Sequence, residues 1–413
     1  MIRTALLACL LAVLAACTGT RPLPAPPEDL YETAAIRDFG DIRDWGDVVP
    51  ADRDARIDEW VEQIERRVER EGQPPGGLRL DSLVLSGGGS DGPFGAGLLV
   101  GWTARGDRPE FTIVTGISAG ALIAPFAFLG PDYDETLRRF TVEGSTDTLV
   151  TFRILRGILD GVGLIDNSKL RQKLRGLITE DVVRAIAGEW RRGRRLLIGT
   201  TNLDAQRPVY WRVGEIAAKG LDEPARTADL ITRIIVASAS IPGAFPPQFF
   251  TVSAGGELYT EMHVDGGVTN QLFFLPADAE VISRLPARIR RMVGSGTVYV
   301  IRNTVLTPDY APVEPGIVQI GSRAISTLIK FGGQSDIRIL EERARSAGYG
   351  VKVAAVPDSF DMEADELFDP AYMQALYGLG RRMTEEGDPW ETTVEPVLME
   401  RQVASGAVDR RRP

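Results

Sequence analysis

Cysteine and histidine are nearly missing from this chain: it has two cysteines, Cys9 and Cys17, and one histidine, His263. Both cysteines fall in the first seventeen residues, so the body has no disulfide framework and no thiolate metal site, and its stability must come from core burial. Any Ser-His-Asp arrangement must use His263. Beyond the first twenty residues there is no apolar run long enough to span a bilayer, which predicts a soluble body. Positive charge is in deficit, 47 Lys and Arg against 57 Asp and Glu. The resulting net charge of −10 argues against a nucleic-acid partner and against electrostatic docking to anionic lipid as the main binding mode. With 413 residues, 44% of them hydrophobic, a sizeable core is possible, in two or three domains or in one large α/β unit.

The N-terminus has its own character. Arg3 is followed by an apolar core over residues 5–16 and then small residues, the pattern of a secretory signal rather than a transmembrane helix. Leu14-Ala15-Ala16-Cys17 resembles a bacterial lipobox. That implies cleavage before Cys17, lipid on its thiol, and anchoring in the bacterial envelope, facing the periplasm or on the outer membrane. Residues 18–28 are rich in proline and small residues and read as a solvated tether. Residues 52–70 place Ile57, Trp60, Val61, Ile64 and Val68 at helical spacing among charges, a surface helix with one buried stripe. The expected organisation is a signal peptide over 1–16, tether and N-terminal helix over 17–78, a main domain over 79–385 and a tail over 386–413.

Residues 80–85 (LDSLVL) read as the first core strand. They lead into Ser86-Gly87-Gly88-Gly89-Ser90-Asp91-Gly92 and a helix-like stretch over 94–104. Nucleotide-phosphate loops share this plan, but the segment has no Gly-Lys-Ser/Thr ending, and Gly95 and Gly97 imitate a dinucleotide fingerprint only loosely. Consecutive glycine N–H groups near a helix N-terminus suit an oxyanion hole better. Further on, the β-branched lead-in 111–115 (FTIVT) meets Gly116-Ile117-Ser118-Ala119-Gly120 and then an apolar helix-like run to 129. Strand, tight turn and helix around Gly-X-Ser-X-Gly is the pattern of a nucleophile elbow, with Oγ exposed at the turn. Strand-like runs at 194–201, 209–213, 261–264, 297–304 and 351–356 alternate with helix-like stretches at 227–239 and 322–347. The alternation implies an α/β fold with a mainly parallel sheet covered on both faces.

A serine hydroxyl needs a base. His263 is one candidate, but its obvious acid, Asp265, is two residues along the same strand, so the two side chains point the same way. Asp265 itself, followed by Gly266 and Gly267, is the other: a Ser118/Asp265 dyad leaves His263 as a structural neighbour, and a triad through another acid stays open.

Taken in order, Gly87 to Gly89, the elbow around Ser118, residues 237–247 (ASASIPGAFPP) and Asp265-Gly266-Gly267 resemble the motif set of the patatin-like phospholipases. The resemblance covers about 80–302 and extends toward 380. It implies a three-layer α/β/α fold with a mainly parallel central sheet, and hydrolysis of lipid carboxylic esters without metal or cofactor. Ser118 would be the nucleophile, Asp265 the general base, and the N–H groups of Gly87, Gly88 and Gly89 the oxyanion donors. Partners would be a lipid ester and, through Cys17, a membrane. One departure is Asp91, where such proteins commonly carry Arg or Lys; it bears on headgroup recognition more than on ester hydrolysis, and leaves neutral lipids and small esters open. A lipoprotein that keeps the fold as a lipid-binding or envelope-organising module is the contrasting expectation, and a nucleotide site at 87–97 a weaker third.

Overall fold

The structure is a computed structural model describing residues 21–152, 165–274, 278–308 and 310–392; Cys17 and the signal-like segment lie outside the described residues, as does the basic C-terminal run. Among the described residues ten strands form one sheet: β1 (Ala35–Ile36), β2 (Arg43–Trp45), β3 (Ser82–Leu85), β4 (Ile113–Ile117), β5 (Arg195–Asn202), β6 (Arg207–Arg212), β7 (Gln248–Ala254), β8 (Glu257–Asp265), β9 (Thr297–Val305) and β10 (Gly350–Val356). The run β5-β4-β3-β9-β10 is parallel throughout. All residues of β3 and β4 are buried, which is why these strands read as unbroken apolar runs rather than as alternation. Beyond β5 the sheet turns antiparallel, through β6 on one edge and the β7-β8 hairpin on the other.

The covering helices are α1 (Arg53–Glu71), α2 (Pro93–Arg105), α3 (Ala119–Leu129), α4 (Asp134–Val142), α5 (Ser168–Leu177), α6 (Glu180–Arg191), α7 (Val213–Lys219), α8 (Pro224–Ser238), α9 (Asp278–Arg284), α10 (Ile317–Ser346) and α11 (Pro370–Glu385). Successive strand residues point to opposite faces and so sort the layers. Leu83 and Leu85 of β3 join a cluster with Phe94, Phe126, Ile231 and Leu376 of α2, α3, α8 and α11. Val84 between them packs with Ile337 and Leu340 of α10, while Ile113 and Ile117 of β4 pack with Ile57, Trp60 and Ile64 of α1. The result is a three-layer α/β/α architecture with a mostly parallel sheet at its centre.

Two stretches outside the expected main domain of 79–385 pack against it. Residues 21–45, inside the expected 17–78 segment of tether and N-terminal helix, pack on the sheet: Arg21 pairs with Asp204 at 2.6 Å, the Thr260 N–H donates to Pro24 O at 2.9 Å, and β1 and β2 extend the sheet against β7 and β6. Strands of two and three residues are too short to show periodicity. At the other end, packing continues past 385, because the Trp390 ring lies tilted against Trp102 with centroids 4.7 Å apart and Glu391 bridges to Val353. One aromatic anchor among Gly, Asp and Pro carries no pattern either.

Candidate active site

The site exists because two strands meet head to head. β4 runs parallel along one edge of β5 as far as Ile117 opposite Gly199. β8 descends the same edge antiparallel and ends with Asp265 opposite Thr200, since the other edge is occupied by β6. Ser118, the residue after β4, and Asp265, the last of β8, therefore arrive at one junction although they are far apart in sequence. Glycine is required there: a Cβ on Gly266 would stand 2.6 Å from Gly199 O.

Ser118 takes φ 54° and ψ −120°, a left-handed conformation that costs a non-glycine residue on the order of 1–3 kcal/mol and must be held by its surroundings. Its flanking glycines make the turn possible, because a Cβ on Gly116 would lie 2.5 Å from Gly120 O, and one on Gly120 would lie 2.4 Å from Leu85 O. The Ser118 N–H donates to Ser238 Oγ at 2.9 Å, and Ser238 Oγ donates to Gly199 O at 2.6 Å, tying the elbow to β5. Ser238 lies in the 237–247 motif but had no assigned role; only the fold brings the end of α8 under the elbow.

Asp265 is 5% exposed. The Gly267 N–H donates to its Oδ1 at 2.7 Å, while Oδ2 is buried without a hydrogen-bond partner of good geometry. Burial pushes its pKa up to about 7, against smaller lowering contributions from the Ser118 hydroxyl and the Gly267 N–H. A carboxyl poised near neutrality beside a strained serine can act as a proton acceptor.

The glycine loop forms the third wall. A Cβ on Gly87 would sit 3.2 Å from Ser118 Cβ, and Gly89 takes φ 56°. The N–H groups of Gly87, Gly88 and Gly89 donate to no acceptor among the described residues. The loop is stapled by Asn303, which sequence reasoning missed: its Oδ1 accepts the Gly95 N–H at 3.0 Å, its Nδ2 donates to Ser86 O at 2.8 Å, and its backbone N–H donates to Ser86 Oγ at 2.9 Å. Gln271 was missed too; its Nε2 donates to Gly267 O at 2.8 Å and its Oε1 would be 3.1 Å from a Cβ on Gly87, so it bridges the loop and the Asp265 turn.

Asp91 has a structural use. It accepts the Tyr372 hydroxyl at 2.7 Å, and Ser90 Oγ accepts the Phe368 N–H at 3.1 Å, so the two residues after the triplet fasten the start of α11 over the loop. Gly95 and Gly97 serve packing: Gly95 lies against Asn303, and a Cβ on Gly97 would stand 2.1 Å from Tyr377 O of α11.

His263 is fully buried away from the serine. Its Nδ1 lies 2.9 Å from Thr200 Oγ1 and its Nε2 3.1 Å from Glu261, which forms a bidentate pair with Arg43. Burial holds its pKa down, so the ring is neutral at physiological pH. Arg43→Met would strand Glu261, a carboxylate 1% exposed that the pairing holds at a pKa of about 2. A loss of about 3–5 kcal/mol is expected, read as a lowered denaturant midpoint.

A small apolar cavity of about 40 Å³ opens beside the loop between Gly89, Ala119, Leu122, Phe140 and Phe368. A larger one of about 330 Å³ lies elsewhere, against Trp60, Trp190 and the first residues of β4 and β5, at the opposite end of the sheet from Ser118. Ser118 and Asp265 therefore lie at the end of the sheet that holds the smaller cavity, not the larger one.

No curated protein matches the sequence. Solved structures that resemble it in part are VipD from Legionella pneumophila (14% identity, TM-score 0.34, covering 76% of this chain and 67% of VipD), human GIVD cytosolic phospholipase A2 (11%, 0.26, 69% and 51%) and the type III effector protein ExoU (13%, 0.22, 81% and 59%). The chain thus spans little more than half the length of the last two. The family described as patatin-like phospholipase matches residues 83–278, a span that contains the glycine loop, the elbow and the Asp265 turn. The match takes in just under half of the chain, and over those residues the sequence is similar to the patatin-like phospholipases.

Proposed function

We propose that this protein hydrolyses carboxylic esters of lipids through a Ser118/Asp265 dyad. The observation that carries the reading is the junction on the β5 edge, where a serine at φ 54° and a buried carboxyl near neutrality share one site beside unengaged glycine N–H groups. Asp265 takes the Ser118 proton as Oγ attacks the ester carbonyl. The N–H groups of Gly87, Gly88 and Gly89 are the donors for the oxyanion of the tetrahedral intermediate. Collapse breaks the bond to the alcohol, which leaves with the proton from Asp265. Water, activated by the same carboxylate, then releases the fatty acid from the acyl-serine. The lipobox-like Leu14-Ala15-Ala16-Cys17 supports anchoring of this activity in the bacterial envelope.

The test is lipid analysis after incubating the purified protein with a mixed envelope extract, wild type beside Ser118→Ala. Release of free fatty acid by wild type alone is the expected result, and the lipids consumed identify the headgroup. A chain that frees no fatty acid from any phospholipid or neutral lipid, nor from a short-chain ester, would overturn the reading.

A further inference from the structure

Backbone strain recurs beside the glycine loop. Among the described residues four positions other than glycine take a positive φ, and besides Ser118 one of them is Phe368, at 59°, a wall of the small cavity next to the elbow. A bulky side chain adopts that conformation only where its surroundings impose it. Here they do: Ser90 Oγ accepts the Phe368 N–H at 3.1 Å, the Thr146 hydroxyl donates to Leu367 O, and Asp369 Oδ1 accepts the Ala371 N–H at 2.8 Å. The ring is thereby fixed to the glycine loop. Phe368 lies outside the residues that the family matches, so the match assigns it no part.

The cavity that Phe368 bounds begins at the reacting atoms. Gly89 is the last of the proposed oxyanion donors and Ala119 follows the nucleophile directly, and both line it. Its walls grade from open to closed: Gly89 is exposed, Leu122 and Phe368 are half-buried, and Phe140, Leu149 and Met373 are buried. Among the described residues the lining carries no charge, and its one hydroxyl, Thr141 Oγ1, donates to Leu137 O at 2.8 Å. A polar headgroup or alcohol would lose its hydrogen bonds in such a slot, whereas a hydrocarbon chain loses none. Size sets a limit as well. At about 10–15 Å³ for each group the size of a water molecule, about 40 Å³ takes about three or four of them.

We infer that this cavity is the acyl slot of the candidate site, that Phe368 sets its depth, and that the esters cleaved carry short acyl arms, with about three or four carbons beyond the carbonyl. This rests on the lipid-ester reading above and narrows its substrate. The test compares kcat/KM for p-nitrophenyl esters from acetate to dodecanoate, read as ratios on one preparation so that the folded fraction cancels. Wild type should peak at butyrate or pentanoate. Phe368→Gly removes the ring, keeps the N–H that bonds Ser90 and suits the positive φ, and should raise the octanoate-to-butyrate ratio about tenfold or more, since one methylene in an apolar pocket is worth roughly 10–200-fold. Leu122→Trp fills the slot from its half-buried side and should lower the butyrate-to-acetate ratio about tenfold. A wild-type profile that climbs steadily to dodecanoate, or a ratio that stays put in either variant, overturns the proposal and leaves ester hydrolysis standing. No turnover of any ester by wild type removes the lipid-ester reading, and the acyl slot with it.

Discussion

Ser118→Ala is expected to abolish turnover and covalent labelling by a fluorophosphonate probe together. A serine hydroxyl that attacks in the first step has no substitute once Oγ is gone, and losses on the order of 10⁴-fold or more follow when the nucleophile of such a site is removed. The fold should survive the change. Alanine is smaller than serine, the Ser118 N–H that anchors the elbow on Ser238 is a backbone group, and the positive φ is imposed by Gly116, Gly120 and β5 rather than by the side chain. The variant should therefore melt close to wild type while being inert. Undiminished labelling by the probe would move the nucleophile elsewhere and remove the basis for the mechanism. Labelling that is lost while ester turnover persists would separate probe reactivity from catalysis, with the same consequence.

The parts of the fold that could be read from sequence are those where one local pattern carries the information. β3, β4 and β9 are buried on both faces and read as apolar runs; α2 and α3 follow their glycine turns directly. The elbow was readable because the tight turn writes itself into the sequence as Gly116 and Gly120, each with less than 3 Å of room for a Cβ. Asp265 was readable through Gly266 and Gly267, and through the scarcity of histidine. What stayed hidden depends on residues that meet only across the sheet. Asn303 is one polar residue at the end of a strand, and nothing near it announces that it will bond Ser86 and Gly95. Gln271 and Ser238 are equally silent. Asp91 was noticed as a departure, but its partner Tyr372 lies on α11, outside the span matched by the family. The apolar residues at the start of α10 fit an ordinary amphipathic helix until their exposure is known.

Asp265→Asn should lower turnover by about 10²–10⁴-fold, the range general-base catalysis supplies, while leaving the elbow assembled. Asparagine is nearly isosteric and its Oδ1 can still accept the Gly267 N–H, so what is lost is basicity. The wild-type rate should rise with pH through about 7, because only the carboxylate accepts the serine proton and burial holds the carboxyl at that value. Linkage gives a second signature of opposite direction. The folded chain binds this proton more tightly than the unfolded chain does, whose carboxyl titrates near 3.8. The stabilising contribution is therefore complete below that pH and is lost as pH rises through about 7. Asparagine does not titrate, so Asp265→Asn should melt above wild type at pH 8, with the gap closing toward pH 4. A nearly inactive variant that is the more stable protein in alkaline buffer marks a group held in place for chemistry at the expense of stability. His263→Ala provides the contrast. It leaves a cavity and unpairs Glu261 and Thr200, so it should lower stability at every pH yet retain most turnover per folded molecule. The reverse pattern, activity kept in Asp265→Asn and lost in His263→Ala, would transfer the base to the imidazole, although His263 sits against Thr200 and Glu261 rather than Ser118.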